Sequence, residues 1–440
     1  MTETASPTPP ADDPPDETAD STGSADSAGD APVAARPPNA LRVPAFRQLW
    51  INNALYMLVL NAQRFTFGWF VLDGLGRNEV WQGAVTFALG IPVALLILPA
   101  GAWADRYDRK MLLVVGQVGT MVVLALTAAL VAADVMTLWL LLVLAVAFGV
   151  VQTVGHPVRS SLIPALVSPE QLFSAIAANA IAITLSMVLG PVVFQLIGDA
   201  LGFGGAFISQ SALLAVGLLA LIPLAVPPTE RQQHPDTAPA DTRGELAEAF
   251  AHIRANPQVA KLFALLSVAA LTVNPAIMVT LQARVAQELE RDGGDAAPLL
   301  ALLGFGMAIT SSIIMRRGNM ARKGALFQRA MMVGSTMVML MGLAPTYALL
   351  FPLNFVMGLA GGFYINMNQG LIQSNTPEHL MGRVMAMLSL VQFGLLPVGA
   401  LLLGVVGSLI GLGNTITLAG AVALTCVVYT YTTDERLRSL

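Results

Sequence analysis

From Leu49 onward the chain alternates long apolar runs with short polar breaks. Twelve runs can be counted, at about 49–72, 80–101, 111–132, 136–158, 172–198, 204–226, 259–285, 297–315, 326–344, 348–373, 381–410 and 413–432. Most hold about 20 residues with little or no charge, the length that spans a bilayer as a helix. The pattern predicts an all-α membrane protein with twelve transmembrane helices. Pro92, Pro99, Pro191, Pro275 and Pro397 fall inside these runs, which membrane helices tolerate better than soluble ones do.

The longest break, 227–258, separates six runs from six. Its second part reads Arg243-Gly-Glu-Leu-Ala-Glu-Ala-Phe-Ala-His-Ile-Arg254, with Leu246, Phe250 and Ile253 at helical spacing, and predicts an amphipathic helix at the membrane surface. A repeat supports the same division. Pro44-Ala-Phe-Arg-Gln-Leu-Trp50 is echoed by Pro257-Gln-Val-Ala-Lys-Leu-Phe263, and Arg109-Lys110 by Arg322-Lys323, both at an offset of 213; Pro169-Glu170-Gln-Leu172 is echoed by Pro377-Glu378-His-Leu380 at 208. Near-equal offsets in the same order predict two pseudo-symmetric six-helix halves. The expected parts are a tail (1–40), an N-terminal bundle (41–226), a central loop (227–258), a C-terminal bundle (259–432) and a short end (433–440).

Composition removes a soluble reading. Hydrophobic types make up 55% of the 440 residues and charged types 11%, against roughly 25% charged in soluble domains; mean hydropathy is +0.69. One cysteine, Cys426, excludes a disulfide framework and a cysteine metal cluster. The net charge of -4 is set by the tail, which carries eight carboxylates before residue 31. That tail has no aromatic residue and one basic residue, Arg36, so it is expected to be disordered, and it lacks the apolar core of a signal peptide. No nucleic-acid partner is expected.

Orientation follows from the basic residues. With a cytoplasmic N-terminus, 19 of the 23 lysines and arginines fall in the tails or on the cytoplasmic side, Arg77 and Arg291 fall opposite, and Arg64 and Arg284 lie in or at the end of runs. The positive-inside rule therefore places both termini in the cytoplasm of a multi-pass inner-membrane protein.

The densest charged turn is Gly101-Ala-Trp-Ala-Asp105-Arg106-Tyr-Asp108-Arg109-Lys110, between the second and third runs. It resembles the loop joining the second and third helices of the major facilitator superfamily, and Asp108, where glycine is usual, resembles the branch that exports drugs and siderophores from bacteria. Asn256-Pro257 before the seventh run fits the same branch. The resemblance implies the major facilitator fold, alternating access, and a gate in which Asp105 faces the N-terminus of the eleventh helix near Gly382, where the helix dipole favours a carboxylate. Arg106, Asp108, Arg109 and Lys110 would complete the switch, pairing among themselves or with Glu170 and Glu378. The plainer alternative makes these charges topology determinants, solvated and individually weak. Gly190-Pro191 is similar to the antiporter signature of the superfamily, without its surrounding glycines.

Arg64 lies inside the first run, where a cation is costly unless it faces water or a partner. Asn53, Asn61 and Arg64 share one helical stripe, which predicts a cavity lining; the alternative is an arginine that snorkels outward with Asp73 as its partner. Asn274, Asn366 and Gln369 are further cavity candidates. Gln152, Asn179, Thr184, Asn354, Gln373 and Gln392 line the cavity or bond helix to helix. No Asp or Glu lies in the middle third of a run, which argues against carboxylate-based proton coupling, although the proton stays the candidate coupling ion. Walker-type, Gly-x-Ser-x-Gly and His-Glu-x-x-His motifs are absent, so neither an enzyme nor a cofactor is expected.

The resulting reading is a monomeric secondary transporter in the lipid bilayer that exports a small amphiphilic, anionic solute. The alternatives are an importer or lysophospholipid-type flippase of the same fold, and a membrane sensor that transports nothing.

Overall fold

The computed structural model describes residues 40–225, 242–317, 322–377 and 380–439. The acidic tail, the first part of the central loop and Glu378 lie outside these residues. Helices α1 (Pro44–Trp69), α2 (Glu79–Arg106), α3 (Arg109–Ala132) and α4 (Leu138–Leu166) come first. The stretch Pro169–Leu221 is broken at Gly202, whose φ of 70° suits glycine, and its arms, 169–201 and 203–221, are α5 and α6. The second half holds α7 (Pro257–Gln287), α8 (Ala296–Arg317), α9 (Lys323–Leu343), α10 (Tyr347–Ser374), α11 (Met381–Ile410) and α12 (Leu412–Thr433).

Ten of these stretches are long and apolar enough to cross a membrane, the broken one counting once. α1 is diluted by Asn52, Asn53, Asn61, Gln63 and Arg64 and takes its place by position. The twelve expected spans are present.

Local chemistry sets several boundaries. Asp108 caps α3 by accepting the Met111 amide at 2.7 Å, and Asn256 caps α7 by accepting the Gln258 and Val259 amides at 3.1 and 3.4 Å, with Pro257 at the first helical position. α7 is interrupted after Leu271 and passes through a π-helical turn, Ala276–Thr280; α1 ends in another, Phe70–Gly74. Irregular turns of this kind frequently mark functional sites.

Between lipid-embedded helices, close approach and van der Waals packing replace the hydrophobic drive. At Gly190 of α5 an added Cβ would lie 2.9 Å from the Leu58 carbonyl oxygen, so the Gly190-Pro191 pair is where α5 rides against α1. Phe67 stands edge-on to Phe207 at 5.2 Å within the N-terminal core, a geometry worth about 0.5–1.5 kcal/mol beyond burial. The opposite surface stays apolar: Met111, Val115, Val118, Val122 and Leu126 form an exposed stripe along α3, a face suited to lipid chains.

Two expectations change. α4 runs to Leu166 instead of stopping near residue 158, so Arg159 is a buried helix residue and not a loop charge. The amphipathic helix forms at Thr242–Ala255, but its stripe splits, with Ile253 buried and Phe250 exposed, because Ala249 and Ile253 pack inward together.

Candidate functional site

The two halves close on each other at the end away from the termini. Gln82 of α2 donates to Gln282 of α7 at 2.8 Å, and Gln282 donates in turn to the Phe65 and Gly293 carbonyls at 3.3 and 3.4 Å. Asp73, just beyond α1, accepts the Gly293 amide at 2.7 Å. Burial pushes the Asp73 carboxyl up to about 6, with Asp292 and Asp295 adding to the rise and the Gly293 amide opposing it. Beside this latch α2 and α11 nearly touch: an added Cβ at Gly83 would lie 2.7 Å from the Ala400 carbonyl oxygen, and one at Gly404 2.8 Å from that of Glu79.

Arg64 is half-buried in α1 and has no hydrogen-bond or ion-pair partner among the described residues. Asp73, its conceivable partner from sequence, is committed to Gly293. Asn61, half-buried, donates back to the Met57 carbonyl at 3.0 Å. Asn274 is also half-buried, sits at the interruption of α7, and stands 213 residues after Asn61, the offset of the internal repeat. The two asparagines thus occupy equivalent places in the first helix of each half.

Asn53 is buried and bonds Asn179 of α5. Asn366 donates to Ser311 of α8 at 3.1 Å. Both join helices in this state. Gln369, by contrast, lines a small cleft of about 20 Å³ with Leu266, Tyr364, Ile365, Asn368, Leu388 and Gln392.

At the termini end the charged turn divides. Asp108 is spent on its cap, and the Lys110 ammonium bonds the Ile222 and Leu224 carbonyls at 2.9 and 2.8 Å, closing the end of α6. Both anchor the N-terminal half, a role that the expected switch did not include. Arg109 has no partner among the described residues, and its Nε is buried without a bond. The side chains of Gly101, Asp105 and Arg106 lie outside those described. Gly382 has open space around it, with nothing within 4 Å of an added Cβ, while Arg383 beside it pairs with Glu248 of the surface helix.

Sequence reasoning missed Arg159. Its guanidinium donates to Asn52 at 2.6 Å and to Gln117 at 2.8 Å, and lies 3.7 Å over the Tyr56 ring. Asn52 and Gln117 continue to the Gly217 and Leu214 carbonyls at 2.9 and 2.8 Å. One cation therefore ties α1, α3, α4 and α6 together with neutral ligands and an aromatic face. The signal was present in Asn52 and Gln117, two amides in apolar runs. Among the described residues no cluster of His, Cys, Asp and Glu could hold a metal ion.

Twelve helices in two halves, closed at one end around unpaired polar groups, form a transporter architecture, and the family model of the Major Facilitator Superfamily matches residues 49–400. The chain belongs to the Major Facilitator Superfamily. Among curated proteins it is similar to the enterobactin exporter EntS of Shigella boydii serotype 18, 25% identical over 378 residues, covering 83% of this chain and 86% of the relative. The enterobactin exporter EntS of Escherichia coli O139:H28 gives the same identity and coverage. Among solved structures the superfamily fold is shared with the nucleoside transporter NupG, with a TM-score of 0.70 at 14% identity, covering 89% of this chain and 99% of that one. A bacterial homolog of the human lysosomal transporter Spinster, solved inward-facing and occupied, aligns with a TM-score of 0.70 at 13% identity, covering 91% and 99%. As a superfamily member the chain is a membrane-embedded transporter of small molecules.

Proposed function

We propose that the chain exports a small amphiphilic, anionic solute across the cytoplasmic membrane by alternating access, with both termini cytoplasmic. One observation carries the reading: Arg64 stands half-buried in α1 with no partner among the described residues, in a protein whose halves meet at the far end. A cation held there without a counter-charge is costly, and an anionic cargo supplies one. Export rests on the exporter relatives at 25% identity; no observation favours import, flipping or sensing.

With cytoplasmic termini, the latch at Asp73 and Gln282 seals the outer side and this is the inward-open state. In the opposite state Asp105 docks on the start of α11 at Gly382, with Gly101, Arg106 and Arg109 shaping the turn that carries it.

The test is flux in reconstituted inside-out vesicles, using decanoate and decanol as matched anionic and neutral probes. Saturable accumulation of decanoate alone, lost in Arg64→Ala, is expected. Accumulation that ignores charge or ignores Arg64 defeats the anionic reading.

A further inference from the structure

The cavity on the C-terminal half has an unusual lining. Tyr364, Asn368 and Gln369 of α10 and Gln392 of α11 contribute every polar group, and none of the four has a hydrogen-bond partner among the described residues. Asn368 is 3% exposed, with its amide oxygen buried and unbonded; the Tyr364 hydroxyl is likewise buried and unbonded. Several other amides at comparable depth, Asn52, Asn53, Gln117 and Gln282, bond across helices, whereas Gln63 of α1 is buried and unbonded like Asn368. Leaving a buried polar atom unbonded costs about 1–3 kcal/mol, so two beside one cleft, the Tyr364 hydroxyl and the Asn368 amide oxygen, amount to a site awaiting a bonding partner, water at rest or cargo in the cycle.

The chemistry of that partner follows from the lining. No lining residue is charged, so an ion entering the cavity would be left unneutralised. Amides and a phenol offer donors and acceptors together, which an uncharged group of the same dual character matches. Leu266, Ile365 and Leu388 supply apolar walls. The Tyr364 ring is held in place by stacking on Phe327 of α9, centroids 5.4 Å apart, so its hydroxyl is positioned before anything binds.

We propose that this cavity is a cargo subsite for an uncharged group with both hydrogen-bond donors and acceptors, a carboxamide or a hydroxyl, distinct from the anion-seeking Arg64 on the N-terminal half. The inference rests on the transporter reading and adds a second end to the cargo: one terminus charged, the other neutral and polar.

The test uses the detergent-solubilised full chain and isothermal titration calorimetry. The probes are the monoamide of azelaic acid, a carboxylate joined to a carboxamide, and decanoate, of equal length but ending in methyl. Tyr364→Phe removes one hydroxyl and keeps the stacked ring; Asn368→Leu replaces the amide by an apolar side chain of like size. Each variant is expected to bind the monoamide about five- to thirtyfold more weakly, as lost hydrogen bonds of this kind predict, and to bind decanoate as well as or better than the parent. The unliganded Asn368→Leu protein should also unfold at a higher temperature, since an unbonded polar group has been removed. Equal weakening of both probes, no change for either, or no saturable binding of the monoamide by the parent overturns the proposal. Arg64→Ala separates the two readings, because weaker binding of both probes tests the anion site alone. Monoamide binding that depends on Tyr364 and Asn368 without vesicle flux would remove the transport reading and leave the subsite standing.

Discussion

The Asp73 carboxylate accepts the Gly293 amide at 2.7 Å, one half of the protein gripping the backbone of the other. Asp73 is exposed, yet partial desolvation, with Asp292 and Asp295 of the other half nearby, raises its pKa to about 6. When the halves part, the carboxylate regains water and its ordinary pKa near 3.9. The closed state then binds the proton more readily, so closure is weakest above pH about 6 and strengthens as pH falls towards about 4. Arg291 is paired with Asp295 and leaves the local field acidic. Distances between spin labels on the two halves should show more closed population at pH 5 than at pH 7.5. Asp73→Asn, which keeps an acceptor oxygen, should be insensitive to pH; an unchanged pH response in that variant would rule Asp73 out.

In the proposed cycle Asp105 engages in the other state. Docking of a carboxylate on a helix N-terminus is worth about 1–2 kcal/mol, so Asp105→Asn should shift the population towards the state described here by about five- to thirtyfold. Transport should fall while insertion and yield hold. Identical distance distributions in the two proteins would remove the gate role.

Arg159 should behave as a structural cation. Truncation to alanine leaves the Asn52 oxygen without its donor, takes one of two donors from the Gln117 oxygen and opens a cavity, a loss of about 3 kcal/mol. Arg159→Lys keeps the charge but cannot fork between two amides or lie flat on Tyr56, and should recover only part of that loss. Thermal unfolding in detergent reads the difference, with parent, lysine and alanine in descending order.

Orientation has a direct check. In a background with Cys426 replaced, single cysteines at Ser24, Gln233 and Ser439 should resist a membrane-impermeant thiol reagent in intact cells, whereas one at Arg77 should react. Labelling at Ser439 would reverse the inside and outside assigned to the latch.

The spans were legible because lipid demands about 20 apolar residues per helix, a signal that survives without any knowledge of packing. The repeat was legible too, and the structure extends it to Asn61 and Asn274, each half-buried in the first helix of its half. Roles inside the charged turn were not, because Asp108 and Lys110 serve as caps and a cap depends on which helix end lies nearby, a matter of tertiary position. Arg159 was hidden by the boundary of α4, since an arginine after an apolar run reads as the start of a loop. The cavity on α10 was half visible: Gln369 was singled out, but Tyr364 and Asn368 stand out only once their missing bonds are known.

The seam between α2 and α11 bears on how fast the protein can cycle. At Gly83 and Gly404 the two helices meet backbone to backbone, and further along the seam the rigid Pro397 ring seats against Gly90. Parting such surfaces needs no change of rotamer, so they act as a smooth bearing. Resistance to opening then resides in a few discrete polar links, and altering one of them changes the rate of turnover without remaking the joint. A methyl group at either glycine would do the reverse, wedging the bearing and slowing every cycle whatever the cargo.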